Sequence, residues 1–152
     1  MTQICLESIG SYALEETAQR RQQDAEDQRR RRRILCVDDD PVVLSLQRAL
    51  LESAGFSVIT ARDGKEGLRR FSAEFPDAAV LDYAMPGMNG AALAAQMRRI
   101  AEDVPLILNS GSVTVSAEEA RLFERVLSKG LAPGLLVRVL REIFPLLGAG
   151  AP

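Results

Sequence analysis

The chain has 152 residues, 47% of them hydrophobic, and its 19 basic and 21 acidic residues leave a net charge of −2. That length suits one domain with a proper core, and the slightly acidic balance argues against a general nucleic-acid-binding surface. No apolar stretch is long enough to cross a bilayer. The first residues, with Glu7, Glu15 and Glu16, lack a secretory pattern, so the cytoplasm is the expected location. Histidine is absent. The chain therefore has no phosphohistidine, imidazole base or imidazole metal ligand of its own, which sets aside Ser-His-Asp catalysis and ordinary zinc hydrolysis. No glycine-rich phosphate loop of familiar spacing occurs. Cys5 and Cys36 are too few for a disulfide framework, and Cys36 falls in an apolar run, where a reduced thiol packs as a small hydrophobe.

Residues 1–33 read as a polar leader, either a solvated helix or a disordered tail, ending in the run Arg29 to Arg33. Seven arginines stand against six acids with no apolar stripe, so burial cannot offset the entropy of ordering. Such a run can also meet nucleic acid or an anionic surface. Serving as the charged flank of the following strand is the simpler reading.

The first strand is expected over Ile34–Val37, closed by Asp38-Asp39-Asp40. A helix from Pro41 to about Ala54 is predicted to turn Val43, Leu46, Leu50 and Leu51 inward and to stop at Gly55. Phe56–Thr60 is the second strand, and Asp63 opens a helix with Leu68, Phe71 and Phe75 as its apolar face. The third strand, Ala78–Leu81, ends on Asp82 and the turn-rich loop Tyr83 to Gly90. A helix from Gly90 to about Ala101 is predicted to bury Leu93, Met97 and Ile100. Leu106–Leu108 follows Pro105 and leads to Asn109-Ser110-Gly111. Ser116-Ala117-Glu118-Glu119 carries a capping-box signature for a short helix. Val126–Ser128 is the fifth strand and leads to Lys129. A last helix from about Pro133 to Phe144 presents Leu135, Leu136, Val139, Leu140 and Ile143. Strands alternating with helices imply an α/β domain, a flavodoxin-like doubly wound five-stranded parallel sheet with helices on both faces. It is expected over 34–146, with 147–152 as a short tail.

Ligand chemistry in such a sheet collects outside the carboxyl ends of the strands. Four strand ends carry Asp38 and Asp39, Asp82, Ser110, and Lys129. Two carboxylates about 5 Å apart repel by roughly 3 kcal/mol at an effective dielectric near 20. The cluster therefore favours a proton or a hard divalent cation such as Mg²⁺. Asp40 before Pro41 also fits a helix cap, a role that leaves Asp38 and Asp39 unexplained.

Here the chain resembles the receiver domain of two-component response regulators, the CheY-like phosphorelay modules. The matching segments are Val37-Asp38-Asp39-Asp40-Pro41, Leu81-Asp82-Tyr83-Ala84-Met85-Pro86-Gly87-Met88-Asn89-Gly90, Pro105 to Gly111, and Leu127-Ser128-Lys129. The resemblance implies that Asp82 accepts a phosphoryl group from the phosphohistidine of a histidine kinase or histidine phosphotransfer protein. It further implies that Asp39, Asp82 and the Ala84 carbonyl bind Mg²⁺, with Asp38 acting through water. Ser110 would meet the phosphoryl oxygens and Lys129 the acyl phosphate, and the output partner is left unspecified. No separate enzyme activity is implied, since the chain assists only its own phosphorylation and dephosphorylation.

Three departures stand out. Val126 replaces the family's aromatic, the stretch from Ser110 to Lys129 is short, and Gly130 replaces a common proline. They bear on the output surface formed by the last helix, the short helix and the fifth strand. Two alternatives remain at this point. One is a receiver-like scaffold that binds without phosphoryl turnover; the other is a haloacid-dehalogenase-like phosphohydrolase with Asp38 as nucleophile, for which the later acidic pair is incomplete.

Overall fold

The computed structural model describes residues 6–111, 114–130, 132 and 134–145. They fall into two compact units, one through Arg31 and one from Arg32. The first holds a single helix, α1 (Leu6–Arg30), whose side chains from Tyr12 to Asp27 are exposed. Ala, Glu, Gln and Arg favour a helix by backbone propensity alone, in keeping with the helix over Leu6–Arg30.

The second unit contains β1 (Arg33–Val37), α2 (Pro41–Ser53), β2 (Ser57–Ala61), α3 (Gly64–Glu74), β3 (Ala78–Leu81), α4 (Gly90–Ile100), β4 (Leu106–Ser110), α5 (Ala117–Ala120), β5 (Arg125–Ser128) and α6 (Gly134–Ile143). The five strands form one parallel sheet in the order β2-β1-β3-β4-β5. Alternating side chains supply a core on each face. Leu35, Val37, Leu81 and Leu108 meet Phe71, Leu93 and Met97 on one side. Ile34, Cys36, Val80 and Ile107 meet Leu44, Leu51, Leu136 and Leu140 on the other. The strand order reverses between β1 and β3, and the register pairs Val37 with Leu81. The two residues that follow these strands, Asp38 and Asp82, therefore emerge side by side.

Several helix faces differ from expectation. Leu46 is 66% exposed, while Leu44, Gln47 and Leu51 are the buried residues of α2 and Val43 and Leu50 lie at the margin. The Asp40 cap sets the phase of the helix, and the 44–47–51 row is the one that meets the sheet. Phe75 is 78% exposed because it is the α3 C-cap, with a left-handed φ of 48° that carries its ring off the helix face. Ile100 closes α4 and is exposed, whereas Leu93 and Met97 are buried as expected. β2 begins one residue later than predicted, β4 runs on to Ser110, and Arg33 belongs to β1. The start of the last helix at Pro133 and the tail 147–152 lie outside the described residues.

Candidate functional site

Backbone pairing continues past β1 and β3 and fixes the two central carboxylates. The Asp38 N–H donates to Ala61 O at 3.1 Å, and the Asp82 N–H donates to Val37 O at 2.9 Å. Asp38 and Asp82 are buried, and Asp39 is exposed beside them. One carboxylate oxygen from each of the three lies within 4.8 Å of the others. Asp40 takes the capping role, its Oδ1 accepting from Val42 N at 2.8 Å, while its own N–H donates to Asp38 Oδ1 at 3.0 Å.

The loop after Asp82 folds back through a bond from Gly90 N to Tyr83 O at 2.9 Å. Asn89 caps α4 by accepting from Ala92 N at 2.8 Å. A Cβ on Gly90 would sit 2.3 Å from the Asp82 carbonyl oxygen, so only glycine lets the loop close this tightly behind the aspartate. Ala84 lies exposed within that loop, two residues beyond Asp82.

β4 and β5 bring the remaining predicted residues to the same edge. Ser110 pairs with Ser128 in register, and the Lys129 N–H donates to Ser110 O at 2.6 Å. The Lys129 ammonium reaches Asp38 Oδ2 at 2.5 Å and Asp82 Oδ1 at 3.1 Å. Ser110 Oγ is buried and has no hydrogen-bond partner among the described residues. Gly130 has a φ of +90°, which the proline ring cannot adopt. The departure from proline after Lys129 is thus matched by a different backbone path. Asp38, Asp39, Asp82, Ser110 and Lys129 all gather at one edge of the sheet.

Burial pushes the Asp38 carboxyl above its ordinary value, against the opposing pull of its hydrogen bonds from Lys129 and Asp40. Burial alone would lower Lys129, but its hydrogen bonds to Asp38 and Asp82 outweigh that and raise it. The ammonium therefore stays charged and neutralises part of the carboxylate repulsion. The all-oxygen, three-carboxylate donor set fits a hard cation such as Mg²⁺.

Sequence reasoning missed one contact that starts in this loop and leads away from the carboxylates. The Tyr83 hydroxyl donates to Glu119 Oε1 at 3.0 Å, across 36 positions of chain. Glu119 was legible as half of a capping box, which the structure contains. Nothing in the spacing announces its second bond.

A family model described as the response regulator receiver domain matches residues 34–141. Among curated proteins, the chain is 41% identical over 81 residues to the transcriptional regulatory protein PrrA of Mycobacterium tuberculosis, covering 53% of this chain and 34% of that protein. It is 39% identical over 78 residues to the response regulator MprA of Mycolicibacterium vanbaalenii, covering 51% and 33%. The matched segments span about a third of each curated relative. Among solved structures, the response regulator TrrA of Thermotoga maritima, in complex with Mg²⁺ and BeF, has a TM-score of 0.70 and 27% identity, covering 74% of this chain and 98% of that one. A CheY-like receiver domain protein from Methanospirillum hungatei has a TM-score of 0.68 and 27% identity, covering 74% and 93%. The five-stranded parallel sheet found here shares its fold with these solved receiver structures, and this chain belongs to the response regulator receiver domain family of two-component systems.

Proposed function

We propose that this chain is a phosphoacceptor, with Asp82 taking a phosphoryl group from the phosphohistidine of a histidine kinase or histidine phosphotransfer protein. A carboxylate oxygen of Asp82 forms the new bond to phosphorus as the phosphorus–nitrogen bond breaks. The electron pair leaves with the imidazole, which regains a proton from solvent. The phosphohistidine is supplied from outside these 152 residues, which contain no histidine.

The observation that carries this reading is the Lys129 ammonium bridging Asp38 and Asp82 beside a three-carboxylate cluster. Asp39, Asp82 and the Ala84 carbonyl would hold Mg²⁺, with Asp38 acting through water; when bound, the ion supplies positive charge against the transferring group. Lys129, already hydrogen-bonded to Asp82, stays beside the acyl phosphate. The Ser110 hydroxyl, which has no partner among the described residues, donates to an oxygen of the transferred group, where a preorganised donor is worth most. Both oxygens of Asp38 are engaged, one by Asp40 N and one by Lys129 Nζ, which favours Asp82 over Asp38 as the nucleophile. Residues 34–146 act as the receiver, with 1–33 as leader and 147–152 as tail. The chain works in the cytoplasm, assists only its own phosphorylation and dephosphorylation, and signals by partner binding or relay.

Incubation with acetyl phosphate and Mg²⁺, followed by intact mass measurement, tests the assignment. The wild type gains one phosphoryl group and Asp82→Asn gains none. Labelling of Asp82→Asn together with loss of labelling in Asp38→Asn would overturn it in favour of the hydrolase.

A further inference from the structure

Tyr83 lies between the two residues of its loop assigned to the cation, Asp82 and Ala84. Any closing of those residues around an occupant must reorient the Tyr83 peptide. Its backbone is also tied, since the Tyr83 carbonyl accepts from Gly90 N. The side chain leads away from the site to Glu119, where the hydroxyl donates to Oε1 at 3.0 Å.

Glu119 is shared between two structures. Its Oε2 accepts from the Ser116 N–H and from Ser116 Oγ, each at 3.0 Å, and its own N–H donates to Ser116 Oγ at 3.1 Å. These bonds, Ser116 first and Tyr83 after, hold the Glu119 carboxyl below its usual range. One carboxylate thus closes the cap of α5 and receives the tyrosine. α5 has four residues, none buried. A helix this short has almost no stability of its own, so it depends on its capping box, on the buried Phe123 that follows it, and on the bond from Tyr83.

The alternative path through β5 is open space. Val126 is half exposed, and a cavity of about 460 Å³ beside Ser110 is lined by Leu108, Thr114, Val126 and Ser128. Among the described residues, no ring there can follow a movement of Ser110.

We propose that Tyr83 and Glu119 form a latch between the phosphoacceptor loop and α5, so that occupancy at Asp82 is read as a change in the ordering of α5. The coupling rests on the phosphoacceptor reading above. A partner that senses the α5 surface would then distinguish the two states through differential affinity for them.

Hydrogen exchange on the full chain tests the latch, with wild type and Tyr83→Phe compared with and without Mg²⁺ and beryllofluoride. The phenylalanine keeps the ring and removes only the donor. In the unloaded chain, Tyr83→Phe should speed exchange at the Glu119 and Ala120 amides roughly fivefold, the loss of about one net hydrogen bond, with β1 and β3 unchanged. On loading, wild type should change its exchange at α5, whereas Tyr83→Phe should respond at residues 82–90 and not at α5. Phosphoryl uptake by mass should be the same in both chains. An equal α5 response in Tyr83→Phe, or a wild type that responds at 82–90 and is silent at α5, overturns the latch and leaves the phosphoacceptor reading standing. Loss of uptake in Tyr83→Phe also overturns it, because Tyr83 would then serve the reacting atoms. A wild type with no response even at 82–90 removes the phosphoacceptor reading, and the coupling falls with it.

Discussion

Lys129 stands closer to Asp38 than to Asp82, at 2.5 Å against 3.1 Å. One ammonium, a quarter exposed, is the shared counter-charge of two buried carboxylates. Because Asp38 holds it from the first strand end and β5 delivers it from the last, the bridge clamps opposite halves of the sheet.

Replacing this cation exposes its contribution. Lys129→Met leaves two buried carboxylates uncompensated, and breaking a buried pair from one side costs about 3 kcal/mol or more. Urea unfolding without metal should show that loss, and saturating Mg²⁺ should recover part of it by binding only the folded chain. The pH dependence has a definite sign. The bonds to Asp38 and Asp82 hold the Lys129 proton above its ordinary 10.5, so its stabilisation is complete below 10.5 and fades as pH rises through the folded value. Lys129→Met should lack that alkaline loss. A variant as stable as wild type without Mg²⁺ would mean that the bridge contributes nothing to folding.

Ser110 sets stability against function. Its buried hydroxyl has no partner among the described residues, and an unsatisfied buried polar group costs about 1–3 kcal/mol. Ser110→Ala should therefore leave the unloaded chain at least as stable as wild type. Phosphoryl uptake should slow by roughly 100- to 1,000-fold, the scale of losing one preorganised donor. Urea midpoints and a mass-spectrometric time course measure the two effects separately, and a variant destabilised yet fast would contradict both.

Gly90 is the steric test of the loop behind Asp82. An added Cβ would lie 2.3 Å from Asp82 O and 3.0 Å from the Tyr83 Cα. Both are backbone atoms, so no side chain can swing away. Gly90→Ala should cost about 1–3 kcal/mol as overpacking and slow uptake by displacing Asp82. Thermal unfolding and uptake kinetics should move together; an unchanged uptake rate would show that the loop can relax without disturbing the carboxylate.

Cys36 should be chemically silent in the native chain. Burial raises its thiol from 9.0 to about 12, with smaller opposing effects from Arg48 and Asp38. In a Cys5→Ser background, reaction with a thiol reagent at neutral to mildly alkaline pH should follow global unfolding. The folded state holds this proton more tightly than the unfolded one, so the thiol's contribution to stability falls as pH rises from 9.0 toward 12. Cys36→Ala should lack that component, and rapid native-state labelling would show that β1 opens locally.

Much was determined by the sequence alone because it is local. Apolar runs closed by Asp38, Asp82, Ser110 and Lys129 mark strand ends, and a parallel sheet must gather such ends at one edge. Asp40, Asp63, Asn89 and Ser116 each cap a helix by bonding within four residues of chain. Only tertiary structure decided which face of each helix turned inward. Leu44 and Gln47 took the place expected for Leu46, and Phe75 left the core, because the cap sets a helix's rotation while the sheet chooses among the rows presented. Tertiary structure likewise placed Lys129 nearest Asp38 and joined Tyr83 to Glu119. Those pairings span 91 and 36 residues, and such contacts are settled by how packed elements meet, a quantity that no local spacing encodes.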